Sequence, residues 1–138
     1  MNPPIKRRAH GAMDYGLVAA QFVLPSLLNL KGPARTLSYL FAGTQLAVNA
    51  MTDQPLAAKK ALPFKTHGTL DAATAPLLLT LPLLTGAIRE RKAGAYFFGV
   101  FGALAATYVL TDWNAPREHT RFTQYSPKAK LERALARS

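Results

Sequence analysis

The stretch "HGAMDYGLVAAQFVLPSLLNL" at residues 10–30 decides how this chain folds, because its opening motif is written again as "HGTLD" at 67–71. His, Gly and Asp recur at the same spacing, each time where a long uncharged run begins. Overlaid without a gap, 10–30 and 67–87 also share Leu, Pro and Leu near their ends. The His and Asp residues of the motif therefore occupy the same positions in two separate segments.

The segments that follow these two also match each other. With an offset of 59 residues they align a glycine and the dipeptide Thr-Asp, at 52–53 and 111–112. Together the matches predict a tandem duplication of one helical hairpin, with repeats at about 4–55 and 61–114.

The charged residues avoid four long stretches. A bilayer core takes about 20 helical residues, with a lower bound near 17, and the four stretches reach that length with their flanks. A soluble four-helix bundle needs polar side chains on its surface. These helices are apolar nearly all round and would not supply them, so a soluble bundle is disfavoured. We expect an all-α fold, a transmembrane four-helix bundle of two parallel hairpins, with helices at about 11–30, 36–53, 69–88 and 94–112. The uncharged stretches are 15–30, 36–52, 72–88 and 93–111.

The basic residues indicate an orientation. The chain has 17 Lys and Arg against 7 Asp and Glu, a net charge of +10. Twelve of the basic residues lie in the N-terminus, the middle loop and the tail, and five lie in the other two loops. The positive-inside rule then predicts a multi-pass inner-membrane protein with both termini cytoplasmic. On this interpretation the charge reflects topology, and no nucleic-acid partner is expected.

Each motif places two side chains that can bind a proton or a metal ion on one helix face. His10 and Asp14 are four residues apart, as are His67 and Asp71. The acids of the two Thr-Asp pairs, Asp53 and Asp112, should return to the same cytoplasmic level. The sequence therefore predicts two clusters, each of one His and two Asp, at the inner mouth of the bundle.

The chemistry of these clusters is open between three interpretations. In the leading one they are structural, pairing helix ends in a non-enzymatic membrane module or accessory subunit. In the alternative they bind a divalent ion such as zinc, manganese or iron in an ion-handling protein. The second alternative is a haem held between His10 and His67, or a small quinone-binding subunit.

A polar seam is predicted inside the first repeat. Gln45, Asn49 and Asp53 recur every four residues on the second helix, and Gln21 lies opposite them on the first. Uncharged polar residues within a membrane are either interhelical hydrogen-bond partners or part of an ion path. Hydrogen bonding between helices is the preferred interpretation.

Several classes are excluded or disfavoured by what the chain lacks. It contains no cysteine, so disulfides, thiolate metal sites and iron–sulfur centres are excluded. It also has no nucleotide-binding loop, nucleophile elbow or HExxH pattern, which favours a non-enzymatic protein. The basic tail at 115–138 is expected to meet anionic lipid head groups, with a short amphipathic helix at 127–137. A membrane-protein partner or a second copy of the chain is a further expected contact.

The paired hairpins resemble the small bacterial membrane proteins called SPW-repeat proteins, over residues 4–113. The resemblance rests on a basic residue two positions before each "HGxxD", a proline in the first helix of each hairpin and a closing Thr-Asp. Where the family is named for Ser-Pro-Trp, this chain reads Leu-Pro-Ser at 24–26 and Leu-Pro-Leu at 81–83. The resemblance implies a four-helix integral membrane protein and transfers no activity or catalytic residue.

Overall fold

The computed structural model describes residues 3–118 and 134–135, and over these residues the protein is helical, as predicted. Two isolated backbone bridges are the only strand-like pairings in that part of the chain. The helices are α1 (Arg7–Leu27), α2 (Gly32–Met51), α3 (Phe64–Thr74), α4 (Leu77–Leu84) and α5 (Arg91–Leu110).

The third predicted helix is divided in two. α3 ends at Thr74 and α4 begins at Leu77, with Pro76 between them. Proline has no backbone N–H and its ring clashes with the preceding turn, so a continuous helix is interrupted there. The first half has Ala19 at the matching position, and α1 runs through it unbroken. All four predicted segments begin three to five residues too late, since the basic residues before each apolar run are already helical.

The two hairpin turns close in the same way. Asn29 follows α1 with a φ of 55°, and Gly86 follows α4 with a φ of 70°. At the first turn the Asn29 and Leu30 N–H groups donate to the carbonyl oxygens of Ser26 and Pro25. This pair of bonds satisfies the last carbonyls of a helix and needs a left-handed residue, which Asn and Gly tolerate best.

The start of each half pairs with the end of the other. Ile5 exchanges backbone hydrogen bonds with Leu110 and Asp112, and Leu62 does so with Met51 and Asp53. The N-terminus, the 52–62 loop and the end of α5 therefore lie at one end of the molecule, called here the motif end. The α1–α2 and α4–α5 turns contact each other at the opposite end, where Leu30 and Ala34 pack near Ala87 and Ala93.

One helix in the described part of the chain, α5, is long and apolar enough to cross a membrane, with a mean hydropathy of 1.6 in its most apolar window. This criterion rests on length and composition alone. α1 and α2 have the length but carry more polar residues, and α3 and α4 are too short one by one. Of the predicted tail helix at 127–137, all but 134–135 lies outside the described residues.

Candidate metal centre

The two motifs meet in one cluster, in place of the two clusters expected from the sequence. Nε2 of His10 lies 3.2 Å from Asp14 Oδ2 and 3.9 Å from Asp71 Oδ2. Nε2 of His67 lies 3.3 Å from Asp14 Oδ2 and 3.2 Å from Asp71 Oδ2. We call these four residues the His/Asp tetrad; their ligand atoms all lie within 4.8 Å of one another.

Helix geometry explains how each half supplies two ligands. In α1 and in α3 the His and the Asp are separated by one turn, so both side chains project from the same face. Those two faces are turned toward each other, which brings the imidazole rings of His10 and His67 to 5.1 Å between centroids. Both histidines are only 1% exposed, while the Asp71 side chain is 14% exposed. The tetrad is therefore buried, with its most open side at Asp71.

A threonine from the other half fixes the tautomer of each histidine. The Thr52 hydroxyl donates to the Val48 carbonyl oxygen at 2.6 Å, so its oxygen is left to accept a proton from His67 Nδ1, 2.7 Å away. Thr111 donates in the same way to the Thr107 carbonyl oxygen at 2.6 Å and accepts from His10 Nδ1 at 2.9 Å. Both Nδ1 atoms therefore carry hydrogen, and both Nε2 atoms point into the tetrad.

This arrangement leaves the centre of the tetrad in need of positive charge. His10 Nε2, His67 Nε2 and Asp14 Oδ2 are buried and have no hydrogen-bond partner among the described residues. A neutral imidazole with hydrogen on Nδ1 presents a lone pair at Nε2, and that lone pair faces the lone pairs of the carboxylates. Buried groups of this kind are costly unless a proton or a metal ion lies between them.

A proton is one way to meet this need, and it affects His67. Burial alone lowers the pKa of an imidazole. Here the carboxylates of Asp14 and Asp71, 3.3 and 3.2 Å from Nε2, would bond a protonated ring, and this outweighs burial and raises the pKa of His67 to about 9. An imidazolium at His67 would then lie between two carboxylates at neutral pH.

A metal ion is the other way, and most of the nitrogen–oxygen distances are close to those of a tetrahedral zinc site. Zinc binds imidazole nitrogen and carboxylate oxygen at about 2.0–2.2 Å, which places neighbouring ligand atoms of a tetrahedron about 3.3 Å apart. Three of the four nitrogen–oxygen separations in the tetrad are 3.2–3.3 Å and the fourth is 3.9 Å. Two carboxylates also balance the charge of a divalent ion.

Aromatic rings and close-packed glycines cover the tetrad. The Trp113 ring lies 4.7 Å from the His10 ring and 5.0 Å from the Phe64 ring, between centroids. A Cβ at Gly68 would come within 2.7 Å of the Trp113 ring, and one at Gly11 within 2.5 Å of the Gln54 side chain. The glycine of each motif therefore makes room for the group that seals the site.

The remaining two predicted acids lie outside the tetrad. Asp53 Oδ2 accepts a hydrogen bond from Arg117 Nε at 2.6 Å and lies 3.4 Å from Arg7 Nη1. Asp112 Oδ2 accepts from Lys6 Nζ at 2.8 Å. These acids form ion pairs with basic residues near the two chain ends. The histidines form hydrogen bonds with the neighbouring threonines instead.

The polar seam residues bond to one another and to the backbone. Gln21 Nε2 donates to Gln45 Oε1 at 2.6 Å, and Asn49 Nδ2 donates to the Gly11 carbonyl oxygen at 3.0 Å. These bonds tie α1 to α2, the role preferred from the sequence. Asn49 contacts the backbone of the first HGxxD motif, whereas the Gln21–Gln45 pair joins α1 to α2 further from the motif end.

Four residues of the site are not among those that the sequence assigns to it. They are Thr52, Thr111, Phe64 and Trp113. The two threonines had a signal, since Thr precedes Asp at both matching positions. Phe64 and Trp113 had none, because they do not match between the two halves.

Comparison with family models, curated proteins and solved structures finds no match for this chain.

Proposed function

We propose that this chain is a metal-binding protein whose two HGxxD motifs jointly hold one divalent ion in the His/Asp tetrad. The observation that carries this proposal is the convergence of two buried imidazole Nε2 atoms, whose tautomer is fixed by Thr52 and Thr111, on two carboxylates. Such a set of unpaired donor atoms gains most from a cation placed among them. No chemical reaction is proposed at the centre.

The donor set favours zinc, with manganese and iron(II) as competitors. Two imidazoles and two carboxylates are borderline to hard ligands, and four of them suit the tetrahedral preference of zinc. The hydrogen bond from each Nδ1 to a threonine orients the ring, as outer partners of metal-bound histidines commonly do. A haem is less well supported, because carboxylates occupy the space between the two Nε2 atoms that a porphyrin would need.

The metal centre lies, on this proposal, in an integral membrane protein. The interior of the molecule is polar at the tetrad and the Gln21–Gln45 pair, while large apolar side chains face outward. Only 28% of the most apolar window of α5 is buried, whereas a core helix of a soluble protein is mostly buried. Within residues 3–118 the most exposed of these side chains are Leu27, Leu40, Leu84 and Val109.

The proposed topology has two parallel hairpin repeats with the motif end in the cytoplasm. The matching turns at Asn29 and Gly86 and the reciprocal backbone pairing of Ile5 and Leu62 support the duplication. The concentration of basic residues at the motif end supports the orientation. Membership of the SPW-repeat proteins stays a prediction.

A second candidate is the structural module, in which the tetrad holds a proton. The raised pKa of His67 favours it, because an imidazolium between Asp14 and Asp71 would also join the two halves. The protein would then act as an accessory membrane subunit or a homo-oligomer, without an ion.

The two candidates are separated by the metal content of the purified full-length protein. We expect about one equivalent of zinc, manganese or iron in the wild type and loss of at least nine-tenths of it in Asp14→Asn, which keeps shape and removes a charged ligand. Asp112→Asn is the matched control, because the same change at an acid bonded to Lys6 should leave the ion in place. Cobalt substitution should give the intense visible bands of a tetrahedral centre.

Metal content below about one-tenth of an equivalent in wild-type protein, after purification without chelators and incubation with zinc, would contradict the metal proposal. It would leave the structural module. Equal loss in the two variants would show that folding, and not ligation, controls the ion.

A further inference from the structure

A cavity of about 280 Å³ adjoins the tetrad on its most open side. It lies between α2 and the α3–α4 pair and is closed on one side by Leu104 of α5. Its walls are apolar, with Phe41, Val48 and Leu70 among them, and Asp71 of the tetrad lines it. We call it the Gln45 cavity, after the one amide side chain that lines it.

Gln45 supplies the cavity with hydrogen-bond donors. Its Oε1 accepts from Gln21, which fixes the amide orientation and leaves both N–H groups of Gln45 without a partner among the described residues. The two threonines that line the cavity, Thr44 and Thr74, donate their hydroxyl protons to backbone carbonyl oxygens of their own helices. Of the described lining side chains, Gln45 is therefore the one with free donors.

Asp71 supplies the acceptor. It faces the histidines through Oδ2, and its Oδ1 makes no hydrogen bond within residues 3–118. A carboxylate disfavours an anionic guest, and the amide donors of Gln45 disfavour an ammonium group. A neutral group that both donates and accepts satisfies the two residues together. Ligand pockets commonly combine apolar walls with a few such polar groups.

We propose that the Gln45 cavity binds a neutral apolar alcohol, whose hydroxyl donates to Asp71 and accepts from Gln45 while its hydrocarbon body lies against Phe41, Val48 and Leu104. At roughly 30 Å³ for each water-sized group, the cavity holds about nine heavy atoms. That is the size of an eight-carbon alcohol or of the hydroxyl end of a larger lipid. The site shares Asp71 with the proposed metal centre and needs its carboxylate, with or without an ion.

The neighbouring groove on the other side of α3 and α4 provides an internal comparison. It has a larger volume of about 470 Å³ and is lined mainly by apolar residues, including Leu79 and Val109. It lacks a paired amide and carboxylate among its described lining residues. Any apolar molecule should enter that groove, whereas the hydroxyl should direct an alcohol to the Gln45 cavity.

The test is photolabelling of the full-length protein in vesicles with an eight-carbon alcohol that carries a diazirine, followed by mapping of the adducts by peptide mass spectrometry. We expect adducts on Phe41 or Val48, which line only the Gln45 cavity, at least fivefold above those on Leu79 and Val109. The matching diazirine alkane without a hydroxyl should lose that preference. Metal content is measured in each sample, so that failure of the metal centre and failure of the alcohol site are told apart.

Two variants and one control make the result decisive. Gln45→Leu should reduce labelling of the cavity at least fivefold by removing the donor, and Val48→Phe should do so by filling the space without touching the Gln21–Gln45 bond. Thr69→Val is the control, because its hydroxyl donates to the Lys65 carbonyl oxygen and the residue is outside the cavity lining. Equal labelling of both grooves by the alcohol, or unchanged labelling in folded Val48→Phe, would overturn the proposal.

Discussion

At each histidine of the tetrad, one threonine hydroxyl decides which ring nitrogen carries hydrogen. Thr52 and Thr111 each close a helix by donating to the carbonyl four residues earlier, and that bond turns the oxygen lone pairs toward Nδ1 of a histidine in the other half. A serine or threonine at a helix end commonly bonds its own backbone. Here the same bond orients a neighbouring imidazole, so a local helix feature controls the chemistry of the site.

Removing that acceptor should weaken metal binding while sparing the fold. In Thr52→Val the shape is kept, but Nδ1–H of His67 loses its partner, and we expect the affinity for zinc to fall by about 10–100-fold. Thr107→Val is the matched control, since the Thr107 hydroxyl donates to the Ala103 carbonyl oxygen. The Thr107 carbonyl oxygen, which accepts from the Thr111 hydroxyl, is unchanged by the substitution. Competition with a chromogenic chelator measures both affinities. Equal affinities would show that the threonine does not orient the ligand.

The effect of pH should differ in sign between the metal-free and the metal-bound protein. In the metal-free protein the pKa of His67 is raised from 6.5 to about 9, so the folded state favours the imidazolium. That contribution to the free energy of unfolding is present in full below pH 6.5 and is lost as pH rises through about 9. Metal binding needs neutral imidazoles, so zinc affinity should rise over the same range.

Thermal unfolding with and without chelator measures both trends. We expect the melting temperature in chelator to fall between about pH 6 and pH 9, and the stabilisation by zinc to grow. A melting temperature in chelator that rises over this range would contradict the ion pairing of His67 with Asp14 and Asp71.

At the scale of the elements, the glycine of each motif lets a helix approach the segment that ends the same half. Gly68 in α3 faces the rigid Trp113 ring, and Gly11 in α1 faces the flexible end of Gln54. The two matching positions therefore differ in what a methyl group would meet.

We expect Gly68→Ala to reduce the free energy of unfolding by about 1–3 kcal/mol, because the ring 2.7 Å from the new Cβ must move. Gly11→Ala should also reduce it, since the buried Gln54 amide must move and loses its bond from the Leu56 N–H group. Gly16→Ala is the control, because nothing lies within 4 Å of a Cβ added there and alanine is more favourable than glycine in a helix. Melting temperatures in chelator measure all three. A Gly68→Ala protein as stable as Gly16→Ala would contradict the packing of Trp113.

For the whole molecule, the two halves exchange partners at the motif end. His10 bonds Thr111 and His67 bonds Thr52, while Ile5 and Leu62 repeat the exchange in the backbone. Neither half contains both a histidine of the tetrad and the threonine that orients it. The proposed metal centre therefore requires both halves.

The proposed membrane topology can be tested because the chain has no cysteine of its own. Lys60→Cys lies exposed in the 52–62 loop, and Lys31→Cys lies exposed at the opposite end. With a maleimide that does not cross membranes, intact spheroplasts should be labelled at residue 31 and protected at residue 60. After permeabilisation both should react, which serves as the control. Protection of both sites in intact spheroplasts would contradict a membrane-spanning fold in this orientation.

What the sequence determined is local. The spacing of His10 with Asp14 and of His67 with Asp71 places each pair on one helix face, because the α-helix repeats every 3.6 residues. The uncharged stretches marked the helices, and the one unpredicted break, between α3 and α4, lies at Pro76, because proline cannot continue the backbone hydrogen bonding.

The tertiary structure alone decided that the two motif faces meet in one tetrad. It also decided that the threonine of each Thr-Asp pair, and not its aspartate, bonds a histidine of the tetrad. Thr52 and Thr111 have extended backbones with ψ of 141° and 131°, and neighbouring side chains of an extended chain point to opposite sides. Thr52 therefore turns inward to His67 while Asp53 turns outward to Arg7 and Arg117. Contacts between different helices and loops depend on how those elements pack, and periodicity within one helix carries no information about that.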